Sequence, residues 1–110
     1  MAYTEPYDKM DTKTLDISKA ITSLREELEA VDWYNQRVAT ASDEELRRIM
    51  AHNRDEEKEH ASMLIEWIRR NMDNWDKELH DYLFTTKELG THEAAASSDV
   101  SSGDLGIGKL

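Results

Sequence analysis

Two long stretches of the chain repeat apolar residues at the spacing of an α-helix. In the first stretch, the apolar positions are Ile17, Ile21, Leu24, Leu28, Val31 and Val38. In the second, they are Leu46, Ile49, Met50, Ala61, Leu64, Trp67 and Ile68. A stripe of this kind is the face that an amphipathic helix turns toward a partner. The pattern predicts one helix from about Thr14 to Thr40 and another from about Asp43 to Arg70.

Polar segments divide these helices from each other and from the rest of the chain. Ser42, with Glu45 three residues later, has the spacing of a capping box and predicts a helix start there. A shorter apolar stripe through Trp75 and Leu79 predicts a short third helix. We therefore divide the chain into a lead-in (1–13), a helical domain (14–90), a small and polar flexible linker (91–102) and a terminal peptide (103–110).

Two long helices joined by a short turn predict an antiparallel hairpin, each arm about 40 Å long. A hairpin cannot enclose a hydrophobic core, because each helix keeps one uncovered face. Small chains usually solve this problem by association. We therefore expect an all-α chain that consists of an antiparallel two-helix hairpin and a short third helix. Two such chains would dimerise about a two-fold axis and form a four-helix bundle.

Composition narrows the classes of function. The chain has 110 residues and a net charge of −10, which disfavours a nucleic-acid partner and favours cations. It has no cysteine, which excludes disulfides, thiolate metal sites and thiol nucleophiles. No apolar run approaches the roughly 20 residues of a membrane span, and the N-terminus has no secretion signal. We expect an intracellular protein with no membrane partner.

The apolar stripe of the second helix is interrupted by Glu57 and His60. Burying an ionised carboxylate without a counter-charge costs at least several kcal/mol, so something should compensate it. Glu57 and His60 stand at i and i+3, which makes them neighbours on one helix face. Glu56, four residues before His60, is a geometrically possible alternative. Glu57 is preferred because it continues the rhythm of Asn53, His60 and Leu64.

The first helix offers further ligands to this pair. Glu27 lies beside the apolar stripe, and Tyr34 follows seven residues later, about two turns along the same face. In a dimer, two copies of Glu27, Glu57 and His60 give four carboxylates and two imidazoles, the ligand set of di-iron carboxylate bundles. Four carboxylates offset two divalent cations. Imidazole with carboxylates suits iron, manganese or zinc.

Plainer interpretations stay open from the residues alone. Glu57 and His60 could form a hydrogen-bonded core pair in a metal-free bundle and set its register. A metal such as zinc could also lock the interface of an assembly module without any catalysis. No partner pattern accompanies His52, His80 or His92, and we interpret them as surface residues.

Long segments of the chain resemble a known family. The segments EELEAVDWYNQR (26–37) and AHNRDEEKEHASMLIEWIRRN (51–71) resemble the encapsulated ferritins, ferritin-like proteins packaged inside encapsulin nanocompartments. The resemblance implies a hairpin with a short third helix, a ferroxidase centre completed by paired chains, and a ring-shaped decamer. The residues that match the family's iron ligands are Glu27, Glu57 and His60, with Tyr34 near them. Those that match an outer group on the approach route of iron are Glu26, Glu29 and Trp33.

The resemblance also gives a role to the last eight residues, GDLGIGKL. They look like the peptide by which encapsulin cargo binds the inner wall of the shell. The apolar anchors are Leu105, Ile107 and Leu110, and Gly106 and Gly108 let the backbone lie close to a partner. The implied location is the lumen of an encapsulin compartment in the cytoplasm.

These observations lead to a ferroxidase hypothesis. The protein would bind two ferrous ions per dimer interface, oxidise them with oxygen and release ferric iron for mineralisation inside the shell. Glu57 would bridge the two ions, while Glu27 and His60 would complete the coordination of each. The encapsulin shell protein and a second copy of the chain are the expected partners.

Overall fold

The computed structural model describes residues 3–91, which are all-helical with no strand. A short 3-10 turn, Tyr7–Lys9, precedes helices α1 (Thr12–Thr40), α2 (Glu44–Asn71) and α3 (Trp75–Tyr82). The prediction of an all-α chain with two long helices and a short third one is confirmed. The linker beyond Thr91, His92 and the terminal peptide lie outside the described residues.

Aspartate side chains begin both long helices. Asp11 accepts a hydrogen bond from the Thr14 backbone N–H at 2.8 Å, so α1 begins two residues earlier than its apolar stripe predicts. Asp43 accepts one from the Leu46 N–H at 2.8 Å. The N-cap of α2 is therefore Asp43 and not Ser42, one residue later than the capping-box spacing indicates.

Arg47 fastens the turn between α1 and α2. Its guanidinium donates to the carbonyl oxygens of Val38 and Ala41, at 3.1 and 2.5 Å. Carbonyls at the end of a helix lack partners within that helix, so Arg47 satisfies groups that α1 leaves open. The hairpin is antiparallel, since Val38 lies near Arg47 at the turn while Glu27 lies near His60 further along.

Little of the hairpin is buried. Within residues 3–91, the buried apolar residues are Ala20, Ala61 and Ile68, with 8%, 5% and 2% of their surface exposed. The alanines let the two helices approach closely. Large apolar side chains stay exposed on α1 and α2, among them Leu28, Ile49, Met63 and Trp67. Each long helix thus keeps an apolar face that the hairpin itself does not cover.

The chain divides into two compact units between Met72 and Asp73. The second unit contains α3, whose N-cap Asn74 adopts a left-handed conformation with φ of 74°. Asparagine tolerates this region better than most residues. In the part of the chain that the structure describes, no helix is both long and apolar enough to cross a membrane.

Candidate metal centre

Three predicted ligands come together midway along the hairpin. Glu27 of α1 and Glu57 and His60 of α2 each offer a ligand atom, and these atoms lie within 4.8 Å of one another. His60 Nδ1 is 3.1 Å from Glu57 Oε1 and 3.5 Å from Glu27 Oε1. Glu27, Glu57 and His60 thus form a single cluster, which we call the metal centre.

The metal centre is partly open to solvent. The side chains of Glu57, Glu27 and His60 expose 22%, 26% and 42% of their surface. They are buried enough to feel one another's charge, yet His60 remains accessible from outside the hairpin. Two carboxylates and an imidazole would leave open positions in the coordination sphere of a bound ion.

The three groups compete for protons. A hydrogen bond to Glu57 raises the pKa of Glu27, and partial burial and the Glu57 charge raise it further. The same hydrogen bond, received from Glu27, lowers the pKa of Glu57. The pKa of His60 is raised above its usual range, chiefly by its hydrogen bond to Glu57. Protons therefore hold together a cluster in which a metal cation would do the same.

The chemistry of the donors fits a transition metal. Carboxylate oxygens with one imidazole nitrogen suit iron, manganese or zinc better than calcium or magnesium. Metal binding requires deprotonated ligands, and two of the three ligands have raised pKa values. Loading the metal centre should therefore release protons.

The two carboxylates that precede His60 lie in different surroundings. Glu57 belongs to the cluster, whereas Glu56 lies 3.9 Å from His52 on the outer side of α2. The i, i+3 pair is therefore the one that faces α1.

The other candidate residues of α1 lie outside the ligand cluster. Tyr34 is half-buried, with the guanidinium carbon of Arg37 5.3 Å from its ring centroid. Glu26, Glu29 and Trp33 are exposed, and their spacing places them along one strip of α1. Their role as an outer group stays a prediction. His80 bonds the carbonyl of Asp76 through Nδ1, at 2.9 Å within α3.

The hydrogen bond between Arg54 and Asn35 could not be predicted from the sequence pattern. Arg54 Nη1 donates to Asn35 Oδ1 at 3.0 Å and so links α2 to α1. Asn35 and Arg54 look like ordinary surface residues in the sequence. Their pairing could be found only by knowing the register of the hairpin.

Comparison with known proteins gives consistent matches. The EncFtn-like family model matches residues 2–86. A "Ferritin-like protein" of Thermotoga maritima is 52% identical, over 98% of this chain and 96% of its own. An "Encapsulated ferritin-like protein" of Rhodospirillum rubrum is 50% identical, over 96% of this chain and 85% of its own.

A solved structure supports the same conclusion about the fold. The crystal structure of protein ne0167 from Nitrosomonas europaea has a TM-score of 0.79 and 61% sequence identity to this chain. The match spans 81% of this chain and 98% of the ne0167 chain. The resemblance to the encapsulated ferritins is thereby confirmed, and the chain belongs to the EncFtn-like family.

Proposed function

We propose that this protein is a ferroxidase, which binds ferrous iron at the metal centre and oxidises it with oxygen. The observation that carries the proposal is the cluster of Glu27, Glu57 and His60, whose ligand atoms lie within 4.8 Å. The names of the relatives, ferritin-like and encapsulated ferritin-like, support an iron-related role. The raised pKa values of Glu27 and His60 also support the proposal, because a bound cation would replace the protons that these groups hold.

The complete site requires a second copy of the chain. Pairing two hairpins about a two-fold axis brings together four carboxylates and two imidazoles, enough to hold two ferrous ions with charges balanced. Glu57 would bridge the two ions, and Glu27 and His60 would complete the coordination of each. The exposed apolar faces of α1 and α2 supply the surface for this pairing, and dimers build a ring-shaped decamer.

Each side chain has a task in the reaction. The substrate is ferrous iron, and the two ions together give two electrons to one dioxygen molecule, which takes up two protons and leaves as hydrogen peroxide. Hard carboxylate oxygens stabilise the ferric product over the ferrous substrate. Glu27 and His60 release their protons as iron binds, which makes those protons available to reduced oxygen.

The product is mineralised outside the protein. The hairpin buries so little that it cannot enclose a mineral. We propose that peptide 103–110 binds an encapsulin shell through Leu105, Gly106, Ile107, Gly108 and Leu110. Ferric iron would then collect in the lumen of that shell, with Glu26, Glu29 and Trp33 on the approach route of the ferrous ions.

Ferrous iron mixed with the full chain in air tests the proposal. The appearance of ferric absorbance is followed for the parent, Glu57→Ala and the control Glu66→Ala. We expect Glu57→Ala to lose at least about 100-fold in initial rate, since loss of a mere outer partner of a metal site costs 10–100-fold. The control, a carboxylate on the same helix outside the cluster, should stay within about twofold of the parent. Oxidation by Glu57→Ala at the parent's rate would overturn the assignment.

A metal-locked assembly module without catalysis is distinguished in the same experiment. Such a protein would bind iron and hold its oligomeric state without accelerating oxidation. Light scattering with and without a chelator tests the assembly. We expect smaller species after chelation, because the empty interface crowds like charges.

A further inference from the structure

Arg54 joins the two long helices close to the metal centre. Its Nη1 donates to Asn35 Oδ1 on α1 at 3.0 Å, and its Nε donates to Asp55 Oδ1 on α2 at 3.1 Å. The Arg54 side chain is 23% exposed and that of Asp55 is 58% exposed, so the two bonds lie at the surface of the hairpin. The guanidinium therefore acts as a bridge with one end on each helix.

Asp55 holds the bridge in place. Its Oδ1 also accepts from Lys58 Nζ at 3.1 Å. Hydrogen bonds from Lys58 and Arg54 lower the pKa of Asp55, which keeps its carboxylate charged. Arg54 is thus oriented by a fixed anion on its own helix before it reaches Asn35.

The bridge lies within two or three helical turns of all three ligands. Arg54 precedes Glu57 by three residues and His60 by six, distances of about 4.5 and 9 Å along α2. Asn35 follows Glu27 by eight residues, about 12 Å along α1. A shift of the helices at the bridge would therefore be passed on to the contact between Glu27 and His60.

Arg47 fastens the two helices at the turn, through the carbonyl oxygens of Val38 and Ala41. The bond between Arg54 and Asn35 joins the helices again seven residues further along α2, nearer to the three ligands. A slip of one residue moves a side chain by about 1.5 Å along the helix and about 100° around it. That change would take Glu27 away from Glu57 and His60. A hydrogen bond between side chains of two helices forms in one register only, so it favours that register over the others.

We propose that Arg54 is a positioning residue for the metal centre, which sets the register of α1 against α2 through Asn35. The proposal rests on the metal site of the proposed function. It concerns how the ligands are held, and it assigns Arg54 no contact with the metal.

The sign of the effect separates positioning from simple electrostatics. A nearby positive charge repels a metal cation, so removal of a purely electrostatic Arg54 would tighten metal binding. Removal of a positioning Arg54 would weaken it, because Glu27 would no longer meet the other two ligands. The two roles predict opposite changes in affinity.

Cobalt(II) titration of the full chain tests this prediction, because the ion binds such ligands and its visible absorption reports their geometry. Arg54→Met and Asn35→Ala should each weaken binding by about tenfold or more and alter the spectrum. The double variant should lose little beyond either single one, since both remove one interaction. Asn35→Asp, which keeps an acceptor for the guanidinium, should bind as the parent does. Arg48→Met, which removes an exposed charge from the same helix, should stay within about twofold of the parent.

Parent-like or tighter binding by a folded Arg54→Met would overturn the proposal. If circular dichroism shows that this variant does not fold, Asn35→Ala decides, and unchanged binding by it overturns the proposal. Failure of the proposed function would look different. In that case the parent itself would not bind cobalt, or it would bind metal and fail to oxidise iron.

Discussion

Two of the carboxylates on helix α2, Glu57 and Glu66, each have a basic side chain three residues later, yet their electrostatic surroundings are opposite. Glu66 accepts hydrogen bonds from Arg69 at 2.8 Å and from Arg70 at 2.7 Å. These two guanidinium groups lower the pKa of Glu66 to about 2. Glu57 has His60 at the corresponding i+3 position, and its other neighbour is the carboxyl group of Glu27.

The comparison shows that spacing alone does not make a metal site. The Glu66 carboxylate is satisfied by cations from its own helix and needs nothing more. Glu57 meets an imidazole and a second carboxyl group, so its cluster is stabilised by protons that a metal can replace. The residue facing it from α1 is what separates the two cases.

The largest expected effect is on metal affinity, when the surroundings of Glu57 are made to resemble those of Glu66. His60→Arg gives Glu57 a permanent cation at i+3, as Glu66 has in Arg69. We expect cobalt affinity to fall by more than about 100-fold, since a ligand is lost and a positive charge is added. Equilibrium dialysis measures the loss. Retained cobalt binding would show that His60 is not a ligand.

A smaller effect is expected on the metal-free fold. The raised pKa values of Glu27 and His60 mean that the folded chain holds protons which the unfolded chain loses above about 4.5 and 6.5. Stability without metal should therefore fall as pH rises through and beyond these values. Glu27→Gln removes the Glu27 part of this decline and should raise Tm on the order of a few degrees at pH 8 relative to the parent.

Thermal unfolding in the presence of a chelator, at pH 5 and pH 8, measures this difference. Glu29→Gln, which neutralises an exposed carboxylate two residues away, controls for net charge. Equal shifts in the two variants would mean that general charge repulsion, and not the Glu27–Glu57 contact, causes the decline.

The smallest effect, a small change in Tm, is expected from substitution of Glu66. The pKa of Glu66 is depressed, so its ion pairs stabilise the fold above pH 4.5 and lose this effect as pH falls toward 2. Because exposed ion pairs contribute little, Glu66→Gln should lower Tm by about two degrees or less at neutral pH. The difference from the parent should vanish in acid, and cobalt binding should not change. A large loss of metal affinity would remove the contrast between the two carboxylates.

The features that could be predicted from the sequence are those that depend on the periodicity of a single helix. The long helices follow from their apolar stripes, and Glu57 with His60 follows from an interruption in one stripe. Glu27 could be proposed because it lies beside the stripe of the facing helix. Each of these inferences uses one helix at a time and a spacing that α-helical geometry fixes.

Details that depend on competition or on long-range register could not be predicted. Ser42 and Asp43 are adjacent and both are good N-caps, so the spacing could not show that Asp43 takes the position. The sequence of α2 alone also could not distinguish Glu56 from Glu57, because the choice depends on which side of α2 faces α1. The bond between Arg54 and Asn35 joins residues 19 positions apart and needs the three-dimensional arrangement.

The thin interior of the hairpin has a consequence for the life of the protein in the cell. Within residues 3–91 the buried apolar residues are few, so a separate hairpin has little interior with which to offset the entropy lost on folding. In the proposed assembly, folding and association then become a single concentration-dependent event. Dilute chains would be substrates for proteases, and the supply of active subunits would rise more steeply than the rate of synthesis.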